Sequence, residues 1–251
     1  MGGHPSGWSL NYKKRIMAVS VDRVYQTVLA LANKEQRGYI TPQEFNLFAN
    51  QAQNTIFEQY FYDLNQFHRI PGNSTVTSDA RDIIEEKISI FRVVNATIGS
   101  YGLPSDLHKL ECLNARYGDG AGAIYYAAEE VSKKEYYAYE QTALTRPSFK
   151  RPIFYRYGNS FGISPDGVWG AFQIDYIRKP ELPNWTYTVV GSKPLYNPDP
   201  DIGFRDFELH ASEEKNLVIK ILQYAGVSIK DYNVTQLAAQ EEAKSIQQEK
   251  A

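Results

Sequence analysis

The sequence predicts an α+β fold with an N-terminal helical bundle, a central antiparallel β region and C-terminal helices. Apolar residues recur at helical spacing near both ends of the chain, which is typical of amphipathic helices. The centre instead carries short β-rich segments separated by Pro and Gly, which is the pattern of strands and turns. Because the helices precede and follow the strands, this order favours α+β over an alternating parallel α/β architecture.

The N-terminal helices can be delimited from their capping signals. Ser20 is the expected N-cap of a first helix, since apolar residues repeat at helical spacing after it. The residues from Thr41 to Glu44 form a capping box with proline at the first helical position, so a second helix should begin there and run to about Phe67. A third, short helix is expected over residues 79–88.

The central strands are expected within six segments. A second capping box, from Ser132 to Glu135, should open a short helix that runs through Tyr139. The Pro-rich stretches KPELPNW and KPLYNPDPDIG are expected to be connections. The predicted strand segments are ISIFRVVNATIG, LPSDLHKLECLNAR, AIYYAAEEV, PIFYRYG, WGAFQIDYI and WTYTVV.

The C-terminal region is expected to be helical again. Ser212 is the expected N-cap of an amphipathic helix that Gly226 should end. Residues 234–251 have strong helix propensity but only a thin apolar stripe, and such a helix is rarely stable alone in water. This last segment is therefore expected to be a frayed tail or to dock on something else, such as a neighbouring subunit.

The predicted segments add up to one domain with an extended tail. Met17 follows a basic stretch and is an alternative start, so residues 1–16 are expected to be either a flexible arm or an upstream misassignment. No signal peptide is expected, because the N-terminal stretch lacks the apolar region of one. The predicted parts are a flexible arm (1–19), a helical bundle (20–90), an antiparallel β region with a short helix (91–210) and C-terminal helices (211–251).

The composition excludes several classes of protein. The net charge of -2 does not provide the basic field typical of nucleic-acid binding. The single cysteine, Cys112, excludes disulfide scaffolds and multi-Cys zinc sites. No apolar run approaches the roughly 20 residues of a membrane span, so no membrane partner is expected. The 19 Tyr residues favour extended contact surfaces, because tyrosine combines apolar area with a polar tip.

The stretch NKEQRGYITPQEF, from Asn33 to Phe45, has part of the skeleton of an EF-hand calcium loop. However, position five of that loop is Arg37, a cation where an oxygen ligand belongs. Gly38 is better explained as a helix C-terminal glycine, and Glu44 as the last member of the capping box. A calcium-dependent interaction protein remains an alternative, but no metal site and no cofactor are expected.

The stretch GNSFG, from Gly158 to Gly162, matches the G-x-S-x-G pattern of serine hydrolases. That motif requires a strand before Ser160 and a helix straight after it, whereas turn residues follow here. Only His210 lies downstream as a possible base. A serine hydrolase using Ser160 is therefore the alternative function. The expectation is that the chain is not an enzyme and has a structural or interaction role.

The order of segments resembles the head-to-tail connector, or ring, proteins of short-tailed phages that infect Bacteroidota, including the crAss-like group. The stretch LPSD (Leu103–Asp106), which leads into a predicted strand, is also similar to tail adaptor proteins of other short-tailed phages. The resemblance covers about residues 18–245. It is carried by GYITPQEFNLFANQAQNTIFEQYF, LPSD, TRPSFKRPIFYRYGNSFGISP, WGAFQIDYIRKPELPNW and DFELHASEEKNLVIKILQYAGVSIKDYNVTQLAAQEEAK.

The resemblance implies a virion structural protein of the phage neck or tail, made in the host cytoplasm. It implies a homo-oligomeric ring of about twelve copies that lies beneath the portal protein and contacts adjacent tail proteins. Such a ring extends the channel for DNA ejection during host-cell entry, so genomic DNA passes through it without sequence-specific binding. No catalytic residues are carried over from this family.

A ring of heterologous contacts needs two different faces on each subunit. The N-terminal arm and the last predicted helix are the segments expected to reach the neighbouring subunits. The candidate assembly contacts are Tyr12, Val234, Leu237, Ala238 and Ile246.

Overall fold

The computed structural model confirms the α+β class. Among the residues that it describes there are five α-helices, a six-stranded sheet and a two-stranded sheet, with helices at both ends. The described residues are 19–34, 39–69, 75–118, 123–165, 169–228 and 244. The chain forms two compact units, of which the first comprises residues 1–90 and 180–251 and the second residues 91–179.

The helices and strands are numbered in chain order. The helices are α1 (Val21–Lys34), α2 (Pro42–Arg69), α3 (Thr75–Ser89), α4 (Lys133–Gln141) and α5 (Glu214–Ser228). The strands are β1 (Arg92–Ile98), β2 (Leu107–Tyr117), β3 (Ile124–Glu130), β4 (Ile153–Tyr157), β5 (Ser160–Ser164), β6 (Trp169–Arg178), β7 (Tyr187–Val190) and β8 (Lys193–Tyr196).

Helices α1, α2 and α4 begin where the capping signals predict. The Oγ of Ser20 accepts a hydrogen bond from the backbone N–H of Arg23 at 3.4 Å. At the start of α2, the backbone N–H of Glu44 donates to Thr41 Oγ1 at 3.3 Å, and that of Thr41 donates to Glu44 Oε2 at 3.0 Å. The box that begins at Ser132 forms the same reciprocal pair. Each box satisfies backbone donors that a helix start leaves unpaired.

The first unit is built on the packing of α2 against α3 and α5, and of α1 against α5. An ion pair joins the helices, because Lys87 Nζ on α3 lies 2.7 Å from Oε1 of the buried Glu213 just before α5. A second polar link comes from Gln53 of α2, which is fully buried. Its Nε2 donates to the carbonyl of Glu181 at 2.8 Å, and its Oε1 accepts from the backbone N–H of Glu208 at 3.0 Å.

The second unit contains the six-stranded sheet, whose strand order is β1-β6-β2-β3-β4-β5. The pairs are antiparallel as predicted, except that β3 and β4 are parallel. This exception has a topological cause, since α4 lies between β3 and β4 in the chain and parallel strands need such a crossover. The core is formed by Leu103, Leu110, Leu113, Ala115, Phe154, Phe161, Ile163, Phe172, Ile174 and Tyr176.

Two features of the C-terminal helix differ from the sequence-based prediction. A 3-10 turn precedes α5, and its cap is His210, whose Nδ1 accepts from the backbone N–H of Ser212 at 3.2 Å. Ser212 is therefore the donor in this cap and not the capping residue. The helix also continues through Gly226 to Ser228, since one glycine costs a helix only about 1 kcal/mol relative to alanine.

Two strands, and the assignment of residues 180–210 to the first unit, were not predicted. Strands β5 and β8 fall in segments interpreted as turns or connections. Residues 180–210, which the prediction placed with the β region, belong to the same compact unit as the terminal helices.

Replacing Gln53 with alanine should lower the free energy of unfolding by about 1–3 kcal/mol, because a fully buried side chain is removed and two partly buried backbone groups lose their partner. The matched control is Gln51→Ala, since Gln51 is exposed on the same helix and its loss should cost less than about 0.5 kcal/mol. Urea denaturation of the two variants measures the difference. Equal unfolding midpoints would show that the amide of Gln53 contributes nothing specific.

Candidate functional site

Trp185 is the centre of the candidate site in the first unit and is only 2% exposed. Its indole Nε1 donates to Asp22 Oδ1 of α1 at 2.9 Å. Its backbone N–H donates to Asn46 Oδ1 of α2 at 2.8 Å, and Asn46 Nδ2 donates to its carbonyl at 3.1 Å. Every polar group of Trp185 is thus paired, and the pairs hold the indole against both N-terminal helices.

Aromatic rings surround this indole. The ring of Tyr25 on α1 has its centroid 4.4 Å from that of Trp185. The rings of Tyr187 and Tyr196 stack on Trp185 with centroid distances of 5.7 Å and 5.9 Å. Phe45 of α2 extends the cluster, 4.6 Å from Tyr25. Aromatic pairs in such geometries contribute about 0.5–1.5 kcal/mol each beyond the area they bury.

The phenol of Tyr25 is a structural donor in this cluster. Its hydroxyl donates to the carbonyl of Ile40 at 3.3 Å, which ties α1 to the residue just before α2. Burial of the phenol, followed by its hydrogen bond with Tyr39, raises the pKa of Tyr25 above its ordinary value. The hydroxyl therefore stays protonated at neutral pH and is suited to hydrogen bonding.

The hairpin β7–β8 supplies the outer wall of the site. Gly191 and Ser192 connect the strands and have φ angles of 56° and 67°, the left-handed conformation that a two-residue hairpin turn requires. In the resulting register Tyr187 lies opposite Tyr196, so both rings reach Trp185. A Gly-Ser pair between two β-rich runs is a hairpin signal and could have predicted β8 from the sequence.

An open groove of about 720 Å³ lies between this hairpin and the N-terminal helices, and we call it the aromatic groove. Among its described lining residues Lys193 alone carries a charge. Val189, which lines the groove, is 63% exposed. A groove of this size and composition suits an apolar segment of another chain. Its lining residues are Tyr25, Gln26, Leu29, Tyr39, Pro42, Trp185, Tyr187, Val189, Ser192, Lys193, Pro194, Leu195 and Tyr196.

Ser160 does not have the surroundings of a hydrolase nucleophile. It begins strand β5 and pairs with Tyr157 across the turn from β4, so a strand follows it where the motif requires a helix. The proposed base His210 belongs to the other compact unit. There its Nδ1 lies 2.9 Å from Ser212 Oγ. The turn between the two strands comprises only Gly158 and Asn159, and Ser160 to Gly162 already belong to β5.

The candidate calcium loop is described at its two ends, since residues 35–38 lie outside the described part. At the second end, Glu44 Oε2 accepts from the backbone N–H of Thr41 at 3.0 Å and from its Oγ1 at 2.8 Å. These bonds lower the pKa of the Glu44 carboxyl. Among the described residues, no group of three or more His, Cys, Asp or Glu could hold a metal ion.

The candidate assembly contacts all lie outside the described residues, namely Tyr12, Val234, Leu237, Ala238 and Ile246.

None of the helices described here is long and apolar enough to cross a membrane.

A scan against protein-family models finds no family that matches the chain, and a search of curated proteins finds no match. The aromatic groove is the structural feature on which a functional proposal can be based.

The Glu44 carboxyl should make stability depend on acid pH. Its lowered pKa means that its contribution is complete above the ordinary value of 4.5 and is lost as the pH falls through the folded value. In the variant Glu44→Gln the amide oxygen can still accept from Thr41 but does not titrate. Urea midpoints measured between pH 7 and pH 2.5 should therefore fall less for this variant than for the wild type.

Glu135 of the second capping box provides an independent comparison, because its pKa is lowered by bonds to Ser132 of the same kind. The exchange Glu135→Gln should also reduce the acid dependence. Identical pH profiles of wild type and both variants would contradict the capping explanation.

Proposed function

We propose that this chain is a virion structural protein that forms a homo-oligomeric ring in the neck or tail of a short-tailed phage. In this proposal the ring joins the portal protein to adjacent tail proteins and extends the DNA channel. The observation that carries the proposal is the aromatic groove, a partly exposed apolar surface held in shape by Trp185. Exposed apolar grooves of this kind are typical of surfaces that bind another chain.

The proposed occupant of the groove is the C-terminal segment, residues 229–251, of a neighbouring copy. This segment follows Ser228 and comprises 23 residues (251 minus 228), which can span up to about 75 Å when extended. It carries the predicted contacts Val234, Leu237, Ala238 and Ile246, whose apolar side chains suit an apolar groove. It also carries Glu241 and Glu242, which complement Lys193, the one charged group described in the lining.

Exchange of such a segment between copies is a heterologous contact, because the donating and accepting surfaces differ. Repeating one heterologous contact closes into a ring when the rotation per copy divides a full turn. The resemblance to phage connector proteins favours about twelve copies, a position in the virion, and passage of genomic DNA without base-specific contacts. The ring would be assembled from subunits made in the host cytoplasm.

Deleting residues 232–251 should weaken ring formation, since the groove of each copy would lose its occupant. Native mass spectrometry and multi-angle light scattering measure the oligomer mass of the wild type and of the truncated chain. A truncated chain that forms the same ring as the wild type would contradict this contact.

The groove itself can be tested with a pair of neighbouring residues on β7. Val189 lines the groove, whereas Val190 does not, and they are 63% and 57% exposed. Val189→Glu should weaken assembly about tenfold or more, because it places a charge in an apolar contact. Val190→Glu should weaken assembly much less. Equal effects on oligomer mass would indicate that the groove is not the contact.

A further inference from the structure

The segment that follows α4 has an unusual surface, and we call residues 142–151 the basic loop. Leu144 in this loop is 94% exposed, which is extreme for a leucine in a structured segment. Arg146, Lys150 and Arg151 are also exposed. None of these cations forms an ion pair with another residue that the structure describes.

No acidic residue lies in the basic loop or in the stretch that follows it to Pro165. From Gln141 to Pro165 there is no Asp or Glu, and the one further cation, Arg156, pairs with Glu130 at 2.6 Å. The positive charge of the loop is therefore available to a partner. An exposed apolar side chain in the same loop as cations without an ion pair is a combination found where an interface core meets its polar rim.

Internal hydrogen bonds give the basic loop a defined shape. The backbone N–H of Thr145 donates to the carbonyl of Thr142 at 3.2 Å, and that of Arg151 donates to the carbonyl of Ser148 at 2.9 Å. The ring of Phe149 packs on Tyr117 of β2 with a centroid distance of 4.6 Å. A loop already held in this way loses little conformational entropy when it binds.

Helix α3 carries a surface that, like the basic loop, has one exposed apolar residue, but its charges are negative. Ile83 is 54% exposed there, and Asp79, Asp82 and Glu86 are exposed around it. Asp79 and Glu86 are four residues before and three residues after Ile83, so they share its side of the helix. We call these four residues the acidic face.

The cations of α3 are already engaged elsewhere and leave the acidic face unneutralised. Arg81 pairs with Glu85 at 2.8 Å, and Lys87 pairs with the buried Glu213 at 2.7 Å. The negative charge of the acidic face is thus available to a partner in the same sense as the positive charge of the basic loop.

We propose that the basic loop of one copy docks on the acidic face of α3 in a second copy, with Leu144 against Ile83. This inference rests on the proposed self-assembly and names a contact that specifies it. Three cations meet three carboxylates around one apolar pair, which combines charge complementarity with a desolvated centre. The two surfaces differ, so the contact is head-to-tail and is compatible with a ring.

A polyanion such as DNA could also be attracted by the three cations of the loop. The exposed Leu144 favours a protein surface over DNA, because a leucine at the tip of the loop gains nothing from a phosphate backbone. The isoleucine surrounded by acids on α3 offers that side chain an apolar partner and offers the cations carboxylates. A second copy of this chain is therefore the occupant that the surface chemistry fits best.

The test uses two charge-reversal variants of the full chain. The loop variant carries Arg146→Glu, Lys150→Glu and Arg151→Glu, and the helix variant carries Asp79→Lys, Asp82→Lys and Glu86→Lys. Each variant alone should self-associate at least about 100-fold more weakly than the wild type, because like charges then face each other. An equimolar mixture should restore assembly, since every contact between unlike copies is complementary again.

The matched control carries Lys109→Glu, Lys134→Glu and Lys179→Glu, which changes the net charge as the loop variant does at scattered exposed positions. It should assemble like the wild type. Circular dichroism checks that every variant is folded. A further variant, Leu144→Asp, should weaken assembly without loss of the fold, because that side chain is almost fully exposed.

The outcomes separate this contact from the proposed function. A wild type that forms rings while both reversal variants also form them, or a mixture that fails to restore assembly, overturns the contact and leaves the ring proposal standing. A loop variant that assembles normally but loses retention on immobilised double-stranded DNA overturns it in favour of a polyanion partner. A wild-type chain that remains monomeric at high concentration overturns both proposals.

Discussion

The pairing of Trp185 with Asp22 and Asn46 is the interaction on which the candidate site depends. A two-stranded hairpin is marginally stable by itself, and β7–β8 pairs with no other strand among the described residues. The hairpin keeps its position because Tyr187 and Tyr196 stack on the indole. The indole in turn is fixed by hydrogen bonds to α1 and α2. The aromatic groove thus exists because one side chain connects three distant segments.

Features that depend on neighbouring residues could be predicted from the sequence. The capping boxes that begin at Thr41 and Ser132 each involve four consecutive residues, and both are present with the expected bonds. The buried stripe of α1 follows from helical spacing alone. The turn at Gly158 and Asn159 also follows from local residue preferences. In each case the physical cause lies within a few residues of its effect.

Features that depend on distant residues could not be predicted in this way. Trp185 is separated from Asp22 by 163 positions, and Gln53 from Glu208 by 155 positions. No pattern in a single sequence indicates which of many polar residues will meet across such distances. The helix boundary at His210 is a different case. Serine is the more common capping residue, so Ser212 was the expected cap. The structure instead has the histidine ring as the acceptor. The hairpin was missed although its Gly-Ser turn was visible, since the Pro-rich segment after it suggested a connection.

The buried ion pair between Lys87 and Glu213 and the exposed acidic face of α3 differ in how strongly dissolved salt affects them. Glu213 is buried, so this pair is screened by dissolved salt much less than charges at an exposed surface are. The acidic face lies on the same helix as Lys87 but is exposed, and salt therefore screens its charges more strongly. In the proposed assembly, higher ionic strength would weaken the contact between copies while the fold of each copy stays intact.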